Sequence, residues 1–179
     1  MGAKGKPFTD GNYFAIYYSS KNPKSPWRRE LLPRSGSQMG ATHGAPVDVN
    51  GDGKMDVLAT RGHGVGVLWF EGPDWKEHII DDEISAPHSA DFGDIDGDGD
   101  LDAIVGDYSG KLHFLENVSS NPAIINLSIS ISPLTDVFNN VFDFGFNAHP
   151  TLFDVDNDND LDLVVGEAIG NLNYIENIG

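Results

Sequence analysis

A nine-residue acidic pattern occurs three times in this chain, and it constrains the fold more than any other feature. The copies occupy residues 48–56, 94–102 and 154–162. Aspartates stand at positions 1, 5 and 9 of every copy, and an aspartate or asparagine stands at position 3. The first residues of the copies are roughly 46 and then 60 positions apart, a period suited to propeller blades of four strands each.

The formal net charge of −17 is concentrated in these loops. They hold three, five and five of the 28 acidic residues, against one lysine, Lys54. Because only 11 lysines and arginines are present, the chain lacks the basic surface that binds nucleic acids, and we expect no nucleic-acid partner. No apolar run approaches about 18 residues, so we expect no insertion into a membrane. The absence of cysteine excludes disulfides and Cys-ligated zinc.

The segments around the loops predict strands. A short apolar run follows each loop, then a glycine and an aromatic run that ends in an acidic residue, and a degenerate copy of the aromatic run begins at residue 11. The 21 glycines and 10 prolines interrupt nearly every window that could form an amphipathic helix. The sequence therefore predicts an all-β chain of β-propeller blades, each with four antiparallel strands.

We expect the whole chain, residues 1–179, to be a single propeller region. Its predicted parts are a half blade (11–35), two blades (42–81 and 87–132) and an incomplete blade (148–179). About three blades are fewer than the four to eight of closed propellers. We therefore expect a partial propeller, completed by further blades, by a partner or by another copy of the chain.

Oxygen ligands at alternate positions of a tight turn converge on one centre. Side chains at positions 1, 3, 5 and 9, with a backbone carbonyl at position 7, supply the oxygens that calcium prefers, whereas magnesium resists losing its waters to such a cage. Position 6 requires a left-handed residue, and it is Gly53, Gly99 or Asn159. An EF-hand would need a glutamate at position 12, where this chain has alanine or valine. A solvated acidic turn without metal is the remaining alternative.

The pattern resembles the FG-GAP/VCBS repeat of integrin-type β-propellers. The run Gly44-Ala45-Pro46 before the first loop and the spacing Asp-x-Asp-x-Asp-Gly-x-x-Asp carry this resemblance, which covers roughly residues 11–179. It implies that each loop joins the first and second strands of a blade and binds one calcium ion, about three ions in all. The implied ligands are Asp48, Asn50, Asp52, Lys54 (carbonyl) and Asp56; Asp94, Asp96, Asp98, Asp100 (carbonyl) and Asp102; and Asp154, Asp156, Asp158, Asp160 (carbonyl) and Asp162. Asn50 lowers the charge of the first loop and is expected to lower its affinity.

The resemblance implies a calcium-binding recognition or adhesion module that binds glycan or protein outside the cell, with calcium structural. Millimolar extracellular calcium suits such loops, so we expect a secreted or surface protein. The alternative is part of a propeller polysaccharide lyase or sugar dehydratase. In that case His63 would act as general base, Tyr108 as general acid, and Arg61 would neutralise a uronate carboxylate. We favour the non-enzymatic interpretation.

Three histidines, His43, His88 and His149, open the strand before each loop. Either they recur because the repeat recurs, each bonding nearby backbone, or they form a zinc site. Among the aromatic residues, Trp69 and Tyr174 are expected to pack between blades, whereas Tyr108 lies in a turn and is expected to be exposed.

Overall fold

The computed structural model describes residues 14–19, 21–22, 24–32, 40–121, 124–131, 133–136 and 138–178. The regular structure of these residues is β-strand throughout, which confirms the all-β prediction. The thirteen strands are β1 (Phe14–Tyr18), β2 (Arg28–Leu32), β3 (His43–Val47), β4 (Asp56–Thr60), β5 (Val65–Glu71), β6 (Lys76–Ser85), β7 (Pro87–Gly93), β8 (Asp102–Asp107), β9 (Leu112–Asn117), β10 (Leu127–Ile131), β11 (His149–Phe153), β12 (Asp162–Gly166) and β13 (Leu172–Ile175). In this part of the chain, no helix is long and apolar enough to cross a membrane.

The strands form four antiparallel sheets in chain order. β1 and β2 make a two-stranded sheet, β3–β6 and β7–β10 make two four-stranded sheets, and β11–β13 make a three-stranded sheet. Two complete blades thus lie between two partial ones. The outer limits of the predicted parts, residues 11–13, 33–35, 132 and 179, lie outside the described residues.

A separate hydrophobic core lies between each pair of successive sheets. The first packs Leu32 of β2 against Phe70 of β5, both with no exposed surface. The second joins Leu58 of β4 to Val105 of β8, and the third contains Val165 of β12. Because each of the two four-stranded sheets buries one face against the sheet before it and the other against the sheet after it, the arrangement is propeller-like.

The first strands of the three larger sheets are neighbours. β7 contacts both β3 and β11, and the Asp91 carboxylate on β7 accepts a 2.8 Å hydrogen bond from the Leu152 amide on β11. The acidic loops leave one end of these strands. The turns between the second and third strands of each sheet lie at the other end, because adjacent strands are antiparallel. The molecule therefore has an acidic-loop face and an opposite face, where His43 and His149 begin their strands and His88 is the second residue of β7.

Candidate functional site

Each acidic loop is held by its own backbone amides. In the second loop the Asp98 amide donates to Asp96 Oδ1 (3.2 Å), the Gly99 amide to Asp94 Oδ2 (3.1 Å) and the Asp100 amide to Asp98 Oδ1 (3.1 Å). Equivalent amides make equivalent bonds in the first and third loops. These local turns orient the side-chain oxygens at positions 1, 3 and 5 in all three loops.

Positions 4 and 6 of every loop have a left-handed backbone. The φ angles are positive at Gly51, Gly53, Gly97, Gly99, Asn157 and Asn159. Glycine adopts this conformation without strain, and asparagine is the side-chain-bearing residue that tolerates it best. The prediction for position 6 is confirmed, and position 4 has the same requirement.

The aspartate at position 9 ties each loop to its sheet. Asp102, 1% exposed, accepts hydrogen bonds from the amides of Ile95 (3.1 Å) and Asn117 (2.8 Å). Asp56 and Asp162 have no exposed surface and accept equivalent pairs of bonds. One bond closes the loop, and the other fixes the residue at the end of the third strand. This second role was not predicted, because its partner lies 15 or 16 residues away.

The second and third loops each bring three carboxylates together. One oxygen from each of Asp94, Asp96 and Asp102 lies within 4.8 Å of the others, as does one from each of Asp154, Asp156 and Asp162. Buried carboxylate oxygens without a hydrogen-bond partner accompany both clusters. They are Oδ1 of Asp94, Asp100, Asp154 and Asp160. The carboxyl group at position 7 is thus partly buried as well, although only its backbone carbonyl was predicted to matter.

Crowding changes the protonation of these carboxyl groups. Burial, together with the neighbouring carboxylates, raises the pKa of Asp100. Hydrogen bonding to Asp158 raises the pKa of Asp160 to about 6, and burial raises the pKa of Asp156. Repulsion from neighbouring carboxylates contributes to each of these increases in pKa. A divalent cation would relieve that repulsion.

The first loop differs from the other two in charge. The Lys54 ammonium group forms a 2.6 Å ion pair with Asp52 Oδ2, and this hydrogen bond lowers the pKa of Asp52. With Asn50 in place of an acid, this loop has fewer carboxylates and one internal cation. In all three loops position 12 lies within a strand (β4, β8 or β12), as expected for a hairpin and unlike an EF-hand.

On the opposite face, one histidine is out of register with the other two. His43 pairs with Thr60 and His149 with Gly166, but in the middle sheet Ser89 takes the equivalent place opposite Gly106. The register shifts between Pro87 and Ser89, so His88 is the extra residue of a β-bulge. The prediction that all three histidines occupy one repeat position is therefore wrong for His88.

The histidine rings form two pairs. The rings of His43 and His149 are 5.7 Å apart between centroids, and those of His63 and His88 are 5.6 Å apart. The predicted zinc site from His43, His88 and His149 is not favoured by this pairing. Burial and the neighbouring His63 lower the pKa of His88, and the backbone of Gly62 opposes this shift.

Two of the three candidate catalytic residues, His63 and Tyr108, lie beside His88. Tyr108 is 51% exposed, as predicted, and its ring lies 5.6 Å from that of His88 and 5.5 Å from that of Phe146. Phe146 was not predicted, because the loop that contains it has no repeat signal. The Arg61 guanidinium group lies 3.6 Å from the Glu77 carboxylate and donates to the Val65 carbonyl (3.4 Å).

Trp69 and Tyr174, the two aromatic residues expected to pack between blades, differ in their contacts. Trp69 packs against the core and stacks on His78 with the ring centroids 4.2 Å apart, which confirms its packing role. Tyr174 is 48% exposed, and its hydroxyl donates to Asp162 Oδ2 (3.2 Å). Within the described residues Tyr174 does not pack between blades, because no further sheet follows β11–β13.

Comparison with known proteins agrees with the geometry of the loops. A family model described as an FG-GAP-like repeat matches residues 48–105, which contain the first two loops and the strands β4–β7 between them. Searches of the curated proteins and of the solved structures returned no match. Residues 48–105 therefore form a repeat of the FG-GAP type.

Proposed function

We propose that the chain is a calcium-stabilised, propeller-like recognition module that binds a glycan or an extracellular protein. The observation that carries the calcium part is the set of buried, unpartnered carboxylate oxygens in the second and third loops. Such oxygens cost free energy unless a cation or a donor satisfies them. Calcium accepts six to eight oxygen ligands in flexible geometry, which suits a turn that offers carboxylates and a carbonyl.

The residues that would hold calcium are those at positions 1, 3, 5, 7 and 9. In the second loop they are Asp94, Asp96, Asp98, the Asp100 carbonyl and Asp102, and the third loop offers the same set. The first loop is expected to bind more weakly, because it has Asn50 and the Lys54 ion pair. The ion would supply positive charge. The amides of the loop orient the carboxylates around it.

The recognition surface is proposed on the face opposite the acidic loops. Tyr108 and Phe146 are 51% and 60% exposed there, and their rings are in contact. Aromatic faces of this kind pack against sugar rings and against apolar groups of protein partners. Calcium sites of this type suit millimolar calcium, so we place the module on the extracellular surface or among secreted proteins.

The sheet of β11–β13 also offers a surface for assembly. β13 is its edge strand, and Leu172 and Tyr174 on that strand are 78% and 48% exposed. Exposed edge strands with apolar residues tend to pair with another chain or segment. We propose that further blades or another copy of the chain cover this edge.

Glycan-array and cell-surface binding with and without chelator test the proposed function. We expect binding in calcium, loss of binding in chelator, and loss with Tyr108→Ala. Phe153→Ala is the matched control, because Phe153 is 65% exposed but adjoins the third acidic loop on the other face. Absence of any binding in calcium, or binding that neither chelator nor Tyr108→Ala alters, would contradict the proposal.

A second candidate function is supported by the placement of His63 and Tyr108 on either side of His88. In a polysaccharide lyase or sugar dehydratase, His63 would remove a proton and Tyr108 would protonate the leaving group. Arg61 would have to exchange its contact with Glu77 for a substrate carboxylate. Unsaturated sugar products that absorb in the near ultraviolet, and that disappear with His63→Ala, would support this function.

A further inference from the structure

A ring nitrogen of His88 is buried without a partner at the boundary between two sheets. Nε2 of His88 makes no hydrogen bond, although it is shielded from solvent. The backbone of Gly62 favours the protonated form of the ring, whereas burial disfavours it. A neutral imidazole with an unpartnered ring nitrogen can bind a metal ion through that nitrogen.

A second histidine, from the neighbouring sheet, lies against the ring of His88. His63 lies in the turn between β4 and β5, and its ring centroid is 5.6 Å from that of His88. Zinc binds imidazole nitrogen at 2.0–2.1 Å, which places the ion about 3.2 Å from a ring centroid. Two rings bound at a tetrahedral angle would then have centroids about 5.2 Å apart. The observed separation needs only a small adjustment to reach this value.

The charges around the pair favour a cation. Burial and the proximity of His63 lower the pKa of His88, so the ring is neutral and able to bind a metal at neutral pH. The nearby Asp107 carboxylate contributes negative potential at His88. The positive charge of Arg61 is directed to Glu77. The ring of Tyr108 covers another side of His88.

We propose that His63 and His88 together bind a divalent transition-metal ion of the zinc class, with water in the remaining coordination positions. The site joins β7 to the turn of the preceding sheet, so the ion links two blades. Imidazole nitrogen selects zinc, nickel or copper over calcium, whereas the carboxylates and carbonyls of the acidic loops select calcium. The molecule would thus hold two chemically distinct kinds of metal site on opposite faces.

Zinc titration of the full chain in saturating calcium tests this site. Saturating calcium would fill the proposed sites in the acidic loops, and NMR of the imidazole nitrogens reports on the histidines alone. We expect one zinc ion per chain, with the ring resonances of His63 and His88 shifted. Removal of either ligand should weaken binding more than about tenfold, because loss of even an outer-shell partner costs 10- to 100-fold.

The variants are His63→Ala, His88→Gln and, as the matched control, His78→Ala. His78 stacks on Trp69 and bonds to Glu71 at 2.7 Å, so its loss should leave zinc affinity unchanged. If His88→Gln does not fold, His63→Ala suffices, because His63 is an exposed turn residue. Wild-type zinc affinity in His63→Ala, or shifts confined to His43 and His149, would overturn the proposal.

Discussion

Replacing Asp56 with alanine should destabilise the protein even when no calcium is present. The Asp56 carboxylate has no exposed surface and accepts hydrogen bonds from the amides of Val49 (3.0 Å) and Gly72 (2.7 Å). Its removal leaves two buried N–H groups without an acceptor, each at a cost of about 1–3 kcal/mol. The expected loss of unfolding free energy is therefore about 2–6 kcal/mol, a large part of the roughly 5–15 kcal/mol of an ordinary domain.

Urea unfolding in chelator measures this loss without any contribution from calcium. Asp52→Ala is the matched control, because Asp52 belongs to the same loop but its side chain is 30% exposed and pairs with Lys54. We expect the control to lower the calcium-free unfolding free energy far less than Asp56→Ala. Equal losses in the two variants would contradict the role of the position 9 aspartate in tying the loop to its sheet. The loss of stability would then come from removing negative charge anywhere in the loop.

Three further predictions concern contacts between sheets. Trp75 Nε1 donates to the Tyr18 hydroxyl at 2.8 Å, so a double-mutant cycle of Trp75→Phe and Tyr18→Phe in urea unfolding should give a coupling of about 0.5–1.5 kcal/mol. Burial and the neighbouring His149 lower the pKa of His43. The unfolding free energy in saturating calcium should therefore be highest above pH ~6.5 and decrease as the pH falls below it. His43→Gln should flatten this dependence. Asp91→Ala should speed hydrogen exchange of the Leu152 amide while leaving the amides of β4 unchanged, and unaltered exchange at Leu152 would contradict the bond between these sheets.

The strands and acidic loops could be predicted because their signals are local. A nine-residue pattern contains its own turn residues and ligand positions, and the apolar runs beside it fix the alternation of each strand. The need for a left-handed residue at position 6 followed from the same pattern and is met by Gly53, Gly99 and Asn159.

The remaining features depend on pairings between distant residues. His88 is an exception, because its offset can be counted in the sequence: His43 and His149 lie five residues before the first aspartate of their loops, whereas Ser89 holds that place before Asp94 and His88 lies one residue earlier. The contact of His63 with His88 arises only when two sheets pack together. The second bond of Asp102 likewise requires Asn117 to return beside it at the end of β9.

The thermal unfolding midpoint as a function of free calcium tests the central claim most directly. A ligand that binds only the folded chain adds about 2.7 kcal/mol per site at a concentration of 100 Kd, so the account predicts a midpoint that rises steadily with calcium. Asp98→Ala, which removes position 5 of the second loop, should reduce this rise. A midpoint that does not move between chelator and millimolar calcium, or that rises equally in Asp98→Ala, would contradict the account.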